Sequence, residues 1–249
     1  MGKTLRHHLH EMRQKIKFNK DLWTYNIKWN RIKKEICDLY NPTEDIPKVI
    51  HCIWFGRNPY PEDVQQCMKT WEEKLKGYEI KVWNEDTFPI HQYKYVEDAL
   101  KQKKWAFAAD LARLHVLYTE GGIYLDTDMK VLKNFDNLLS QELFFSYESP
   151  NLISMGVVGG KKGHPWFKFV LDWYSHINCD ADYTEIANTR IVAKLSRLHY
   201  GIKLRGQEQV FGQGVHLYPR EYFNPEFVNE GFKVTENTYA IHLGTGLWL

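Results

Sequence analysis

Two aspartates one residue apart, Asp126 and Asp128, follow a short apolar segment in the sequence GGIYLDTDM at residues 121 to 129. In an extended backbone, side chains at positions i and i+2 lie on one face roughly 6.6 Å apart, so both carboxylates are expected to face one space. Two negative charges at that separation repel each other by about 2.5 kcal/mol at an effective dielectric constant of about 20. A helix cap, an arginine or a divalent cation relieves such repulsion, which makes the pair a candidate metal site.

The helix predicted at residues 105 to 119 contains a second pair of charges. Asp110 and Arg113 fall in line with Ala106 and Leu117 at helical spacing, within a segment that is otherwise apolar. One interpretation is an i,i+3 ion pair, which contributes only about 0.2 to 0.5 kcal/mol on an exposed helix. The other is a binding role, in which Asp110 accepts hydrogen bonds from ribose or sugar hydroxyls and Arg113 contacts a phosphate.

Apolar runs bounded by glycine or proline predict strands that alternate with helices. The predicted strands lie near residues 49–56, 78–85, 123–126, 143–147, 153–159, 215–218 and 239–243, and the helices at 62–76, 105–119, from Pro165, and about 184–199. This alternation predicts an α/β fold with a mainly parallel sheet covered by helices on both faces. Ligands of such sheets bind at the carboxyl ends of the strands, where the two aspartates lie.

Residues 1 to 45 are predicted to form a helical extension before a single domain at residues 46 to 249. Residues 1 to 36 hold ten Lys or Arg against three Asp or Glu, a surplus of 7 in a chain whose total is +2. Apolar residues recur there at helical spacing, and Pro42 ends the pattern. One interpretation is a helix packed on the domain with a solvated basic face, and the other is peripheral contact with an anionic membrane.

Composition narrows the class of protein further. The four cysteines show neither CxxC spacing nor a compact framework, so free thiols in a reducing compartment are predicted. No N-terminal signal sequence or long apolar run is present, which predicts a cytoplasmic protein. If the basic segment binds lipid, the protein is expected to lie at the inner face of the membrane. The glycines form neither GxGxxG nor a P-loop. No nucleic-acid partner is predicted.

Several segments together resemble a known family. The segments are IPKVIHCIWFG, KVWNEDTF and WAFAADLARLHVLYTEGGIYLDTDMKVLKNFDNLL. They are similar to the DXD-containing glycosyltransferases, which include fungal initiating mannosyltransferases and bacterial capsule and lipopolysaccharide enzymes. The glucosyltransferase domain of the large clostridial toxins is more distantly similar. The resemblance covers about residues 46 to 140. It depends on the ordered set of Trp54-Phe55-Gly56, Asp110, Arg113, Gly121-Gly122, Tyr124, Asp126 and Asp128.

The resemblance implies a GT-A type, Rossmann-like fold and a set of nucleotide-sugar contacts. Trp54 would stack on the base, Asp110 and Arg113 would hold sugar and phosphate oxygens, and Tyr124 would border the nucleotide. Asp128 would bind Mn²⁺ or Mg²⁺ directly, and Asp126 would assist. Carboxylate oxygens suit such hard cations, which stabilise a diphosphate leaving group. Asp126, Asp128 and Arg113 are therefore the predicted catalytic residues.

The C-terminal sequence TYAIHLGTGLWL resembles the closing segment of the family, in which a His precedes a small-Ser-Trp turn. His242 and Trp248 match that pattern, whereas Leu247 stands in place of the serine. His242 is predicted to be the third metal ligand, and Trp248 is predicted to cover the diphosphate. Gln207, Glu208 and Gln209 are interpreted as a polar loop, with contacts to acceptor hydroxyls as the alternative.

These features predict a metal-dependent, retaining glycosyltransferase. It would move a hexose from a nucleotide sugar, with UDP as the expected carrier, to a glycan or lipid-linked acceptor in surface polysaccharide or capsule assembly. Retention is implied by the resemblance, and transfer on the front face is favoured because no second carboxylate is evident for a double displacement. The alternatives are a toxin-like protein glycosyltransferase, a nucleotide-sugar-binding protein without turnover, and a metal-stabilised structural domain.

Overall fold

A seven-stranded sheet forms the centre of the protein in the computed structural model, which describes residues 2–42, 44–179 and 187–246. Its strands are β1 Val49–Ile53, β2 Glu79–Trp83, β3 Gly122–Leu125, β5 Leu143–Ser149, β6 Leu152–Gly160, β7 Gln209–Phe211 and β8 Val215–Tyr218. The strand order is β2-β1-β3-β6-β5-β8-β7. Only β6 and β7 run against the other five strands. The prediction of a mainly parallel sheet is thus confirmed.

Helices cover both faces of this sheet. They are α1 Gly2–Leu39, α2 Glu62–Lys74, α3 Lys94–Lys101, α4 Trp105–Glu120, α5 Pro165–Trp173 and α6 Asn188–Tyr200. Alternate residues of β3 enter different buried clusters: Ile123 and Leu125 pack with Trp71 of α2, while Tyr124 packs with α4 and α5. A strand buried on both faces reads as a continuous apolar run, which is why these strands were visible in the sequence.

Each predicted strand has a counterpart in the structure, whereas the short strands β4 (Met129–Val131), β7, β9 (Phe227–Val228) and β10 (Gly231–Phe232), of two or three residues each, were not predicted. The eight-residue helix α3 was not predicted, because its buried Tyr95, Val96 and Ala99 cover too few turns to establish a period. The predicted start of the last helix at residue 184 lies outside the described residues. Each of the four cysteines is a free thiol, and Cys52, Cys67 and Cys179 are buried.

The long helix α1 packs on the domain through one side. Phe18, Leu22, Tyr25 and Trp29 are buried in the same apolar cluster as α4 and α5. The Trp29 indole donates to His199 of α6 over 3.1 Å, and the Tyr25 hydroxyl donates to the Phe169 carbonyl of α5. The boundary at residue 45 stays a prediction. None of the helices described is sufficiently long and apolar to span a bilayer.

Two glycines connect α4 tightly to β3. Gly121 and Gly122 have φ angles of 72° and 102°, which side chains other than glycine rarely adopt. A Cβ atom on Gly122 would lie 2.7 Å from the Val49 carbonyl oxygen of the neighbouring strand. The glycines therefore let a helix that carries Asp110 and Arg113 lead directly into the strand that precedes Asp126.

A second, two-stranded sheet joins the C-terminal part of the chain to the end of β3. Strand β4 (Met129–Val131) pairs antiparallel with β11 (Ala240–His242), with His242 opposite Met129. Strands β9 (Phe227–Val228) and β10 (Gly231–Phe232) form a separate hairpin. The Met129 carbonyl accepts from the Trp71 indole over 2.6 Å, which fixes β4 against α2. Residues more than a hundred positions apart in sequence are thereby brought together.

Candidate functional site

The two aspartates lie in a turn, not on the extended strand that the sequence analysis assumed. Strand β3 ends at Leu125, and the Met129 N–H donates to the Asp126 carbonyl over 3.0 Å, which closes a turn over Asp126 to Met129. The expected i,i+2 geometry was therefore wrong. The two carboxylates nevertheless face one space, because the turn and the β4–β11 pairing place both of them beside His242.

Asp126, Asp128 and His242 form a cluster in which one ligand atom from each lies within 4.8 Å of the others. His242 Nε2 is 3.2 Å from Asp128 Oδ1. Burial lowers the pKa of His242, but its contact with Asp128 and the charge of Asp126 outweigh burial, and the net shift is upward. The predicted proximity of these three residues is thus present in the structure, whereas their metal-binding role stays a prediction.

Asp128 is held on its other side by the segment that follows β11. Its Oδ2 accepts from the Thr245 backbone N–H over 3.0 Å and from the Thr245 hydroxyl over 3.2 Å. Burial opposes ionisation of Asp128, but the contacts with His242 and Thr245 outweigh it and lower the pKa. Thr245, two residues before Leu247, thus provides a hydroxyl that orients the Asp128 carboxylate.

Arg113 connects the helix charges to the aspartate turn. Its guanidinium lies 2.9 Å from Asp110 Oδ1 and 3.3 Å from Asp126 Oδ1, and it donates to the Met155 carbonyl over 2.8 Å. It also lies over the Tyr124 ring, 4.6 Å from the centroid. The ion-pair interpretation of Asp110 and Arg113 is therefore present, but in a buried form. The contact of Arg113 with a phosphate stays a prediction.

Tyr124 and Asn188 contact the two acids that pair with Arg113: Tyr124 donates a hydrogen bond to Asp126, and Asn188 donates one to Asp110. The Tyr124 hydroxyl donates to Asp126 Oδ1 over 2.7 Å, and Tyr124 is only 1% exposed. Burial raises the pKa of Asp110 to about 6; the charge of Asp126 adds to that shift, while Arg113 and the amide of Asn188 oppose it. Tyr124 thus orients Asp126 from within the core, and its predicted border with a nucleotide stays a prediction.

A cavity of about 150 Å³ opens beside the cluster. Its wall includes four of the charged or titratable residues described above, namely Asp110, Arg113, Asp126 and His242. The wall also includes residues of β5, β6 and the start of α6: Glu148, Ser154, Met155, Gly156, Asn188 and Thr189. Gly156 contributes to this space, because a Cβ atom there would lie 3.2 Å from Asp126 Oδ2 and 3.6 Å from His242 Nδ1. The absence of a side chain at residue 156 keeps the carboxylate and the imidazole accessible.

Trp54, the predicted base-stacking residue, lies at the end of β1 and lines a different cavity of about 240 Å³. Tyr60 forms part of the same wall, with its ring centroid 5.0 Å from that of Trp54, and the Trp54 indole donates to the Asn58 carbonyl over 2.7 Å. Strands β1 and β3 are neighbours, so both cavities lie at the carboxyl edge of the sheet. The stacking role of Trp54 stays a prediction.

A larger cavity, of about 570 Å³, lies between α3, α4 and α5. Its charged side chains are paired with each other: Lys94 with Asp98, and Lys168 with Asp172. The residues expected to act on a donor are not among those that line it. The candidate active site is therefore the 150 Å³ cavity beside the aspartates, because the residues that suit a donor and a metal line that cavity.

Two other predictions concern the C-terminal Trp248 and the polar residues 207 to 209. Trp248 and Leu247 lie outside the described residues. Glu208 pairs with His216 over 2.6 Å, and Gln209 donates to the Lys203 carbonyl over 3.1 Å. These internal contacts favour the polar-loop interpretation for Gln207 and Glu208, whereas Gln209 is the first residue of β7.

Sequence reasoning missed Gly156, Thr245, Asn188 and Glu148. Glycine and threonine carry no signal of their own in a strand or a terminal loop, and Asn188 is a common residue at the start of a helix. Glu148 is different, because it is a lone acid at the end of the apolar run FFSY, at the same edge of the sheet as the aspartates. Its position could have been recognised by the strand-end argument that identified Asp126.

Known proteins are similar to this chain in their fold and in one region of their sequence. Over 78% of this chain and 79% of the other, the structure is similar to the PaToxG glycosyltransferase, with a TM-score of 0.51 and 18% identity. That likeness concerns the fold. Residues 61–145 match the family model described as the glycosyltransferase sugar-binding region containing the DXD motif. The chain thus contains the sugar-binding region of the DXD glycosyltransferases, the family that the resemblance in the sequence predicted.

Two curated relatives agree with this assignment. An uncharacterized glycosyltransferase of Acanthamoeba polyphaga mimivirus is 32% identical over 135 residues, which cover 50% of this chain and 54% of the viral protein. Inositol phosphoceramide mannosyltransferase 3 of Schizosaccharomyces pombe is 32% identical over 130 residues, 51% of this chain and 36% of that protein. The match thus spans about half of the viral relative and about a third of the yeast one.

Proposed function

We propose that this protein is a metal-dependent, retaining glycosyltransferase that moves a hexose from a nucleotide sugar to an acceptor hydroxyl. The observation that carries the proposal is the Asp126–Asp128–His242 cluster beside the cavity lined by Asp110 and Arg113. Two carboxylates and an imidazole provide a ligand set for a divalent cation, while a buried acid and a guanidinium suit sugar hydroxyls and phosphate oxygens.

The cluster fits a divalent cation by its own chemistry. Asp128 Oδ1 is buried and lies 3.2 Å from His242 Nε2, so a carboxylate oxygen and an imidazole nitrogen, both ligands of divalent cations, face the same space. Gly156 leaves the ligand atoms of Asp126 and His242 accessible. An imidazole ligand suits Mn²⁺ better than Mg²⁺, so Mn²⁺ is the proposed ion. Asp126, Asp128 and His242 would hold it, and it would neutralise charge that develops on the diphosphate leaving group.

The surrounding residues would position the reactants. Tyr124 and Arg113 fix the Asp126 carboxylate, and Thr245 fixes that of Asp128, so neither has to reorient when a donor binds. Asp110 and Asn188, which contact each other, would bind sugar hydroxyls from the cavity wall. Trp54 would hold the base. The acceptor oxygen would attack on the face from which the diphosphate leaves and pass its proton to a leaving phosphate oxygen.

A panel of nucleotide sugars tests this function. Purified protein is incubated with UDP-, GDP- and ADP-linked hexoses in Mn²⁺, Mg²⁺ or EDTA, and the released nucleoside diphosphate is measured. We expect release from one class of donor that Mn²⁺ supports and EDTA abolishes. Binding of a donor without release in any condition, even when glycan, lipid and protein acceptors are added, would contradict the proposal in favour of a binding protein.

The proposed acceptor is a glycan or lipid-linked molecule in surface polysaccharide assembly. The name of the yeast relative, which specifies a mannosyl group and inositol phosphoceramide, supports a hexose and a lipid-borne hydroxyl. UDP as the carrier and a cytoplasmic location are further parts of the proposal. In the same assay, transfer to protein side chains in preference to glycan or lipid acceptors would favour the toxin-like alternative.

We further propose that α1 contacts an anionic membrane. On the side of α1 opposite its buried residues lies an exposed apolar stripe, comprising Leu9, Met12, Ile16 and Trp23. Exposed Arg13, Lys20 and Arg31 flank this stripe, and each basic residue near an anionic surface contributes about 1 kcal/mol. Such a stripe with basic borders is typical of helices that lie in the plane of a membrane interface.

Replacing both Ile16 and Trp23 by Ser is expected to reduce co-sedimentation with vesicles that contain phosphatidylserine at least tenfold. Both side chains are more than 60% exposed, so folding should be unaffected. Val234→Ser, at an exposed apolar residue outside α1, is the matched control. The wild-type interaction should weaken in high salt. Equal binding of the double variant and wild type would show that the stripe does not contact lipid.

A further inference from the structure

Glu148 lies at an irregular point of the central sheet. Tyr147 of β5 is opposite Ile153 of β6, and Ser149 is opposite Leu152, so Glu148 is the extra residue of a β-bulge. Bulges turn a side chain away from the regular alternation of a strand and are frequent beside active sites. The side chain of Glu148 reaches the cavity that Asp126, Arg113 and His242 also line.

The carboxylate of Glu148 is not used by the fold. Each other acid in the cavity is engaged: Asp110 and Asp126 with Arg113, and Asp128 with His242 and Thr245 near its mouth. Within residues 2–42, 44–179 and 187–246, Glu148 accepts no hydrogen bond and has no cation within 4.0 Å. Burial raises its pKa and the charge of Asp126 adds to that rise, whereas the charges of His242, Arg220 and Arg190 oppose it. A half-buried carboxylate that is held by no hydrogen bond or close ion pair loses hydration without a direct replacement, and such groups are concentrated at functional sites.

Glu148 also stands apart from the candidate metal ligands. The group whose ligand atoms lie within 4.8 Å of one another comprises Asp126, Asp128 and His242, without Glu148. Its carboxylate is therefore placed to face whatever fills the cavity beside the cluster. If a nucleotide sugar binds with its diphosphate at the cluster, the group in the cavity is the transferred sugar. No second carboxylate for a double displacement was evident in the sequence; Glu148 provides a carboxylate in this cavity, and the test below separates an electrostatic role from a covalent one.

We propose that Glu148 is a catalytic residue whose carboxylate stabilises the positive charge that develops at the anomeric carbon of the transferred hexose. This inference rests on the proposed glycosyltransferase function. The bond from the anomeric carbon to the diphosphate oxygen breaks, and its electron pair leaves with that oxygen. The acceptor oxygen forms the new bond to the anomeric carbon, and its proton passes to the leaving phosphate oxygen. Glu148 stays ionised throughout and forms no covalent bond with the sugar.

The test compares Glu148→Gln with Glu148→Asp and with wild type. Gln has the same shape without the charge, so kcat should fall about a hundredfold, the loss typical of one electrostatic group aimed at the transition state. Glu148→Asp keeps the charge on a shorter side chain and should recover part of that loss. The affinity for the donor, measured by calorimetry, should change less than threefold, because the charge at the anomeric carbon exists only in the transition state.

Glu73→Gln, which changes an exposed acid of α2, is the matched control and should keep wild-type kcat. Mn²⁺ binding should be the same in all variants; loss of Mn²⁺ affinity in Glu148→Gln would make Glu148 a metal ligand and overturn the inference. Three other results would also overturn it. They are an unchanged kcat, a fall in donor affinity as large as the fall in rate, and a sugar found attached to Glu148 by mass spectrometry. Turnover by wild type and Glu148→Gln alike would overturn only this inference, whereas a wild type without turnover would overturn the proposed function as well.

Discussion

Replacement of Asp128 by Asn is expected to lower donor turnover by at least about a hundredfold while the protein remains folded, in line with losses measured when one electrostatic group of an active site is removed. An amide has one oxygen and no charge, so it cannot replace a carboxylate as a ligand that also accepts two hydrogen bonds from Thr245. Asp126→Asn is expected to cause the same loss or a slightly smaller one. Release of nucleoside diphosphate with saturating Mn²⁺ measures the effect.

Metal-dependent stability provides a second measurement. A ligand present at 100 times its Kd stabilises a protein by about 2.7 kcal/mol, so wild type should melt at a higher temperature in Mn²⁺ than in EDTA. Asp128→Asn should lose that difference. Asp136→Asn, at an exposed aspartate paired with Lys48, should retain both turnover and the Mn²⁺ effect. Wild-type turnover in both Asp126→Asn and Asp128→Asn would exclude the metal site proposed here.

The second large effect is expected on stability, when Arg113 is replaced by Met. Arg113 is 7% exposed and pairs with the buried Asp110 and with Asp126. Removing one partner of a buried ion pair typically costs about 3 to 5 kcal/mol, because the remaining charges lose their counter-ion away from water. The free energy of unfolding, measured by urea denaturation at neutral pH, should fall by that amount.

A double variant keeps this prediction testable if Arg113→Met alone does not fold. Asp110→Asn removes one of the two unpaired charges, so the Asp110→Asn/Arg113→Met protein should be more stable than Arg113→Met. Arg57→Met removes an exposed partner of Asp86 and should cost far less, because water already solvates both charges. Equal losses for Arg57→Met and Arg113→Met would mean that the buried network contributes nothing beyond a surface pair.

The sequence by itself determined the class of fold and half of the site. Strands buried on both faces must be apolar throughout, so β1, β3, β5 and β6 were recognisable, and α4 was visible from its length and from the glycines that end it. Asp126, Asp128, Asp110 and Arg113 were found because charges beside or within buried segments need partners. These are local properties, and a local pattern is enough to express them.

Tertiary structure alone decided how those residues meet. The pairing of β4 with β11, and hence the contact of Asp128 with His242 and Thr245, depends on hydrogen bonds between segments more than a hundred residues apart. Gly156 and Glu148 enter the cavity through strand register and a bulge, which no periodicity encodes, because a shift of one residue reverses the face on which a side chain lies. The sequence thus specified which groups could do chemistry, and packing specified which of them share one space.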